Sequence, residues 1–142
     1  MSAVEALQSC LAAEHAALYG YGVVGGVLAG TTGSTRLRVY ADECYVAHRS
    51  RRDTITADID RSGETPAAAE PAYELPFRVT GTASCTALAR LIERRTAAVY
   101  ASAVADTVDR LRVIAIAALT DCAIREVGWG APLQALPGVG RT

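Results

Sequence analysis

Three of the five prolines lie in one segment near the middle of the 142-residue chain, with a glycine at each end, and this distribution strongly constrains the fold. Residues 63–81 contain two glycines and three prolines, whereas residues 82–127 contain neither. A connection of this length is unusual in a compact domain and normally has a functional or topological role. Fully extended, it can reach about 60 Å, twice the roughly 30 Å length of a 20-residue helix. The segment therefore predicts a crossover between two helical parts.

The residues before the crossover are predicted to form two helices. Seam positions in residues 3–29 alternate three and four residues apart, as on the buried face of a bundle helix: Val4, Leu7, Leu11, Glu14, Leu18, Tyr21, Gly25 and Leu28. The glycine-rich residues 30–35 end this helix, and Ser34 or Thr35 is the predicted N-cap of a second helix over 36–62. Gly63 is its predicted C-cap.

The residues after the crossover are predicted to form a second helical pair. A single helix over 82–127 would be about 65–70 Å long, which is exceptional for a domain of this size. We therefore place a break at 105–109, where Asp106 serves as N-cap and Asp109 completes a capping box. The resulting helices cover 83–104 and 107–127, and residues 128–142 form an irregular tail. The expected fold is one all-α domain over 1–142, a four-helix bundle with the single long crossover of ferritin-like connectivity.

Charge and hydropathy exclude several classes of protein. Fourteen cations, all of them arginine, face fifteen acidic residues, so the net charge of −1 argues against binding driven by nucleic-acid phosphates. No apolar run approaches the roughly 20 residues that a membrane helix needs, and no cationic start typical of an export signal is present. We expect a cytoplasmic protein whose cysteines are thiols.

The four cysteines, Cys10, Cys44, Cys85 and Cys122, do not form a metal-binding pattern in the sequence. They are spread one to each predicted helix, without the Cys-x-x-Cys pair typical of zinc sites. Only Cys85 and Cys122 are predicted to lie level along the bundle, and small core residues are the interpretation we prefer for this pair.

Four segments carry a family pattern: AEHAALYGYG at 13–22, YVAHRSRRD at 45–53, AEPAYELPF at 69–77 and LTDCA at 119–123. In these segments the chain resembles the actinobacterial ferritin-like domain family of unknown function. The resemblance extends over nearly the whole chain, and the proline-punctuated segment 69–77 is its most specific part. It implies the ferritin-like fold and brings no particular activity.

Buried carboxylates and histidines are the candidate ligands of a metal site in such a fold. Ferritin-like di-iron centres use a Glu from each of two helices and a Glu-x-x-His from each of the other two. Folding the first hairpin near residue 31 places Glu14 level with His48, and the later helices offer Glu93 and Asp121. These four residues are the candidate ligands for iron, manganese or zinc. The set is incomplete, because position 45 is a tyrosine and no Glu-x-x-His motif is present.

Two other interpretations of these residues need no metal. In the first, Glu14 and His48 hydrogen-bond to each other, and Tyr45 or an arginine completes a polar core network. In the second, they line a polar pocket for a small ligand.

The missing Glu-x-x-His motifs favour a non-catalytic scaffold or binding module, with no catalytic residue and no cofactor expected. The alternative is a metal-binding protein or metal-dependent oxidoreductase that uses Glu14, His48, Glu93 and Asp121.

The first helix is also predicted to carry an interface. It is nearly uncharged over residues 16–35, and beyond its seam it presents Tyr19, Val23, Val24 and Val27 around the helix. A helix that is apolar on all sides is normally buried on all sides. We therefore expect a homodimer formed by helix-on-helix packing, with Gly22 and Gly26 allowing a second helix to approach closely. The alternative cover is the tail of the same chain, through Trp129 and Leu133.

Overall fold

The computed structural model of the protein describes residues 1–139 and consists, over these residues, of four α-helices without a strand. α1 spans Ala3–Ala29, α2 Thr35–Arg61, α3 Thr82–Asp106 and α4 Asp109–Gly128. The predicted all-α four-helix bundle is confirmed. None of the described helices is long and apolar enough to cross a membrane. Residues 140–142, the end of the predicted tail, lie outside the described part.

α1 packs against both α2 and α3, and α4 packs mainly against α3. Two hydrogen bonds between α1 and α3 show that these helices run in opposite directions. Cys85 Sγ lies 3.8 Å from the carbonyl oxygen of Val24 near the start of α3. Farther along α3, Tyr100 donates to Glu14 near the middle of α1. Since α2 returns antiparallel to α1 after a short turn, α2 and α3 are parallel, and the connection between them must travel back along the bundle.

The crossover runs along the outer side of α1. The side chain of Gln8 donates to the carbonyl oxygen of Thr65 at 2.8 Å and accepts from the backbone N–H of Ala67 at 2.9 Å. Farther along, the ring of Tyr73 packs on that of Tyr19 with centroids 5.5 Å apart. The segment 63–81 is therefore the predicted crossover, and it forms an ordered cover for α1.

This cover changes the expectation for the surface of α1. Tyr19, Val23 and Val27 are half-buried and Val24 is fully buried, because the crossover and the neighbouring helices lie over them. Gly22 and Gly26, where a second copy is predicted to approach, are exposed, so the crossover covers only the part of this surface around Tyr19. The predicted role of Leu133 as a cover is wrong, because this side chain is 86% exposed.

Trp129 does dock back onto the bundle end, as predicted for the tail. It is buried, its indole N–H donates to Tyr21 at 2.9 Å, and its ring lies 4.9 Å from that of Tyr40.

The helix ends differ from the predictions mainly in their caps. Ser34 precedes α2, but its hydroxyl donates to the carbonyl oxygens of Leu28 and Thr31 at the end of α1 instead of capping α2. The Leu28 carbonyl oxygen also accepts from the backbone N–H of Thr31, so the Ser34 hydroxyl adds a second hydrogen bond at this helix end. Asp106 is the last residue of α3 and does not cap α4, whose first residue, Asp109, has a φ of 48°. The predicted Asp106–Asp109 capping box is therefore wrong.

The core consists of two apolar clusters separated by a polar level. Each of the first three helices contributes buried apolar residues to both clusters. Between the clusters each helix places one ionisable side chain: Glu14 in α1, His48 in α2 and Glu93 in α3. All three side chains have no exposed surface. The fold thereby brings three ionisable groups from three helices to one level of the bundle.

Candidate functional site

His48 occupies the centre of this polar level. Its Nδ1 lies 2.6 Å from Glu14 Oε2, and its Nε2 lies 3.0 Å from Glu93 Oε1. Because each ring nitrogen faces a carboxylate oxygen, the imidazole satisfies both only as the protonated form, which donates at both ends. The hairpin register predicts the Glu14–His48 contact, and α3 adds the second carboxylate.

Glu14 accepts hydrogen bonds from α2 and α3. Its Oε1 accepts from Arg51 Nε at 2.8 Å and from the hydroxyl of Tyr100 at 2.6 Å. Arg51 also donates to Asp121 Oδ2 at 2.5 Å, and Arg125 donates to the same oxygen at 2.9 Å. Asp121 therefore joins the site only through an arginine and does not itself meet Glu14 or His48.

Arg51 stands beside His48 without a hydrogen bond between the two. The Nη2 atom of Arg51 is 3.1 Å from His48 Nδ1. The hydrogen on His48 Nδ1 points to Glu14, so Nη2 and Nδ1 are both donors and cannot bond to each other. Hydrogen bonds to carboxylates on both sides hold the two cations together. We call the six residues joined by these contacts the polar cluster: Glu14, Glu93, Asp121, His48, Arg51 and Arg125.

Glu93 connects the polar cluster to the tail. The hydroxyl of Tyr21 donates to Glu93 Oε1 at 2.6 Å, and the indole N–H of Trp129 donates to the Tyr21 oxygen at 2.9 Å. In contrast, Glu93 Oε2 is buried and has no hydrogen-bond partner within residues 1–139. This oxygen is an unmet acceptor in the middle of the bundle.

Hydrogen bonds and nearby charges shift the pKa values of Glu14 and His48 in the direction opposite to burial. Burial alone would raise the pKa of Glu14, but its hydrogen bond to His48 and the nearby positive charges hold that pKa below its ordinary value. Burial alone would lower the pKa of His48, but hydrogen bonds to Glu14 and Glu93 raise it above its ordinary value. Burial and the adjacent carboxylates raise the pKa of both Tyr21 and Tyr100. At neutral pH Glu14 is therefore a carboxylate and both phenols are neutral, while the two facing carboxylates favour the imidazolium form of His48.

Tyr45 is not part of the polar cluster, contrary to one of the two predicted forms of the network. Its side chain is half-buried against the apolar cluster that contains Tyr21. The arginine form is found instead, with Arg51 in the expected role. Tyr21 and Tyr100 supply the phenols, and a sequence signal for them exists, because each follows a site carboxylate by seven residues, two helical turns on the same face.

The cysteines do not meet at one level of the bundle. All four are free and buried. Cys122 lies beside Arg51, with Sγ 3.6 Å from Nη2. Cys85 precedes Glu93 by eight residues, which is about 12 Å along a helix. The prediction that Cys85 and Cys122 lie level is therefore wrong.

The residues at the polar level do not fit the dinuclear metal centre of ferritin-like bundles. Both oxygens of Glu14 already accept hydrogen bonds from protein groups, and both ring nitrogens of His48 donate to carboxylates. Arg51 provides positive charge between Glu14 and Asp121, where a centre of that type needs metal ligands. Within residues 1–139, no group of three or more His, Cys, Asp or Glu side chains is arranged to hold a metal ion.

Two cavities lie near the polar cluster. One of about 350 Å³ lies beneath the crossover and is lined mainly by apolar groups of α1 and α3. A second, of about 260 Å³, opens between α2 and α4 and reaches Arg51 and Tyr100, with Ser50 and Thr54 also lining it. The second cavity is the one that resembles the predicted polar pocket.

Comparisons with known proteins agree with this fold. The family described as a domain of unknown function, DUF4439, matches residues 6–141. The chain belongs to this family. It is similar to the crystal structure of a conserved hypothetical protein, rv2844, from Mycobacterium tuberculosis, at 30% sequence identity and a TM-score of 0.80. The alignment covers 89% of this chain and 94% of that chain. No curated protein matches the sequence.

Proposed function

We propose that this DUF4439 domain is a non-catalytic scaffold or binding module of ferritin-like type, in which the polar cluster replaces a metal centre. The proposal rests on the observation that the oxygen and nitrogen atoms that could bind a metal are already hydrogen-bonded within the protein. Glu14 bonds to three protein donors, and His48 is held between two carboxylates. Arg51 and His48 supply the positive charge that metal ions would supply in a catalytic bundle.

The polar cluster has a structural role in this proposal. The cluster contains at least one residue from each of the four helices. It also reaches the tail, because Trp129 donates to Tyr21, which in turn donates to Glu93. A buried ion pair is a poor source of net stability, but breaking one typically costs about 3–5 kcal/mol. Alternative helix registers that separate these groups are therefore disfavoured, which fixes one alignment of the bundle.

The family origin, the cellular location and the partners that we propose have separate support. The four resembling segments and the similarity to the mycobacterial structure support an actinobacterial ferritin-like origin. Four free, buried cysteines suit a reducing compartment, which supports a cytoplasmic location. A scaffold acts through its outer surface, and we include a second copy of the chain among its partners. The near-neutral net charge argues against nucleic acid.

Metal analysis of protein purified without chelators tests the proposal. We expect iron, manganese and zinc each well below one equivalent per chain, in wild type and in the Glu14→Ala variant alike. The matched control is Glu43→Ala, which removes an exposed carboxylate from α2. Metal near one equivalent per chain that is lost in Glu14→Ala and kept in Glu43→Ala would overturn the proposal.

One observation favours a second candidate, a metal-binding protein or metal-dependent oxidoreductase with Glu14, His48, Glu93 and Asp121 as ligands. Glu93 Oε2 is a buried acceptor without a partner, and such an oxygen suits a cation. Titration of the metal-free protein with Fe²⁺, Mn²⁺ or Zn²⁺ separates the two functions. The second candidate requires saturable binding that Glu93→Gln abolishes, whereas the scaffold requires none that depends on Glu93.

A further inference from the structure

The outer face of α4 is apolar along its length and is uncovered within residues 1–139. Val113 is 65% exposed, Ile116 46%, Ile124 64% and Val127 36%. Thr120, also exposed, lies at the centre of the face. The solvent side of a bundle helix normally carries charged and polar groups. We call these five side chains the α4 face.

The spacing of the α4 face is symmetric about Thr120. Ile116 and Ile124 each lie four residues from it, and Val113 and Val127 each lie seven residues from it. An antiparallel copy of the helix, rotated about an axis through Thr120, would place each isoleucine opposite the other isoleucine and each valine opposite the other valine. A two-fold interface requires such a self-complementary surface.

We propose that a second copy of this chain docks on the α4 face, with the two α4 helices antiparallel and a two-fold axis near Thr120. The inference rests on the proposed scaffold function, because it names the partner and the surface through which that scaffold assembles. It also places the homodimer interface on α4 instead of α1, where the crossover packs on Tyr19.

A cavity beside α4 and an exposed arginine at its start both suit an antiparallel second copy of the helix. A cavity of about 370 Å³ lies between the second half of α4 and the tail, lined in part by Thr120, Ile124 and Val127. The first half of the partner helix, which carries Ile116, would lie at this level. At the start of α4, Arg112 is exposed and makes no ion pair with another residue in 1–139. In the antiparallel pair it lies opposite residue 128, where the carbonyl end of the partner helix is partially negative.

The size of the α4 face predicts the strength of the dimer. A 20-residue helix presents a strip about 30 Å long and 10 Å wide, or about 300 Å². Stable interfaces bury about 800 Å² on each partner. The tail extends the apolar surface beside Ile124 through Leu133, which is 86% exposed. We therefore expect a dimer that dissociates in the micromolar range.

Sedimentation velocity of the full chain across the micromolar range tests the interface. Wild type should shift from monomer to dimer with concentration, and Thr120→Arg should raise the dissociation constant at least about tenfold, because two buried like charges would meet at the axis. Ser102→Arg is the matched control, since it adds the same charge at an exposed position of α3. Gly26→Leu tests the α1 surface and should leave the dimer intact. Thermal melts of each variant confirm that it folds.

Mixing two variants tests the axis itself. Thr120→Arg and Thr120→Asp proteins should each be monomeric alone and should form a dimer when combined, because only a two-fold axis near residue 120 places the opposite charges together. A wild-type protein that stays monomeric would overturn the proposal, as would a dimer that tolerates Thr120→Arg or one that Gly26→Leu disrupts. The metal content of the wild-type protein decides the scaffold function separately, since the α4 face shares no residue with the polar cluster.

Discussion

His48 is held in the charged form by two carboxylates in a part of the core that has no exposed surface. Its pKa is raised and that of Glu14 is lowered, so the two groups make stability depend on pH in opposite directions. The stabilisation from His48 is complete below its unfolded pKa of 6.5 and is lost as pH rises through the higher folded value. The stabilisation from Glu14 is complete above 4.5 and is lost as pH falls through the lower folded value. Both contributions to stability are therefore complete only between about pH 4.5 and pH 6.5.

Replacing His48 by a residue that does not titrate should remove the alkaline branch of this dependence. We expect the free energy of unfolding of wild type to fall from about pH 6.5 upward, with a slope that approaches at most about 1.4 kcal/mol per pH unit for one proton. His48→Gln should be less stable at pH 6 and nearly flat over the same range. Urea unfolding at a series of pH values measures both slopes. Parallel curves for the two proteins would show that His48 is neutral in the folded state.

The residue pairs that sequence could predict are those fixed by a short turn. The hairpin between α1 and α2 turns near residue 31, so the register places Glu14 beside His48 without knowledge of the rest of the fold. No comparable constraint decides whether a tyrosine or an arginine completes the network. Arg51 reaches Glu14 from one turn beyond His48, and Tyr100 reaches it from α3. These choices depend on the packing of α3 and α4, which the pattern of α2 does not contain.

Among the helices, α1 contains glycines in two different environments. Close helix packing explains Gly20, where an added Cβ would lie 2.6 Å from Ile92 Cδ1. It does not explain Gly22, Gly25 or Gly26, where a Cβ would meet nothing within 4 Å. Glycine composition alone cannot separate these cases, because a glycine facing solvent and one facing a neighbouring helix have the same effect on the apolar pattern.

Alanine substitution should distinguish the two kinds of glycine. Gly26→Ala should raise the free energy of unfolding by about 0.5–1 kcal/mol, because alanine loses less conformational entropy than glycine in a helix. Gly20→Ala should give a smaller gain or a loss, since the Ile92 side chain must move. Urea unfolding of the two variants at the same pH provides the comparison. A destabilising Gly26→Ala would indicate that this surface is in contact with another chain.

The whole molecule depends on the crossover, because this segment joins two hairpins that short turns alone would not align. Its sequence predicts a long covering connection, and the structure shows the anchors. Ala67 is held from both sides, since its N–H donates to Gln8 at 2.9 Å and its carbonyl accepts from His15 Nε2 at 2.9 Å. Both anchoring side chains lie on α1. These hydrogen bonds are exposed to solvent, which places the crossover among the segments that open locally before the helices unfold.

Removing the Gln8 anchor should therefore loosen the crossover without unfolding the bundle. A net contribution of about 1 kcal/mol per hydrogen bond predicts that Gln8→Ala increases hydrogen exchange at the Ala67 amide by at least about fivefold. Exchange in the middle of α3 should stay unchanged, because those amides open only with the whole bundle. Ser9→Ala is the matched control, since its hydroxyl bonds to the backbone of α1 itself, at Glu5. Equal exchange at Ala67 in wild type and Gln8→Ala would mean that packing of Tyr73 on Tyr19, and not the Gln8 side chain, holds the crossover in place.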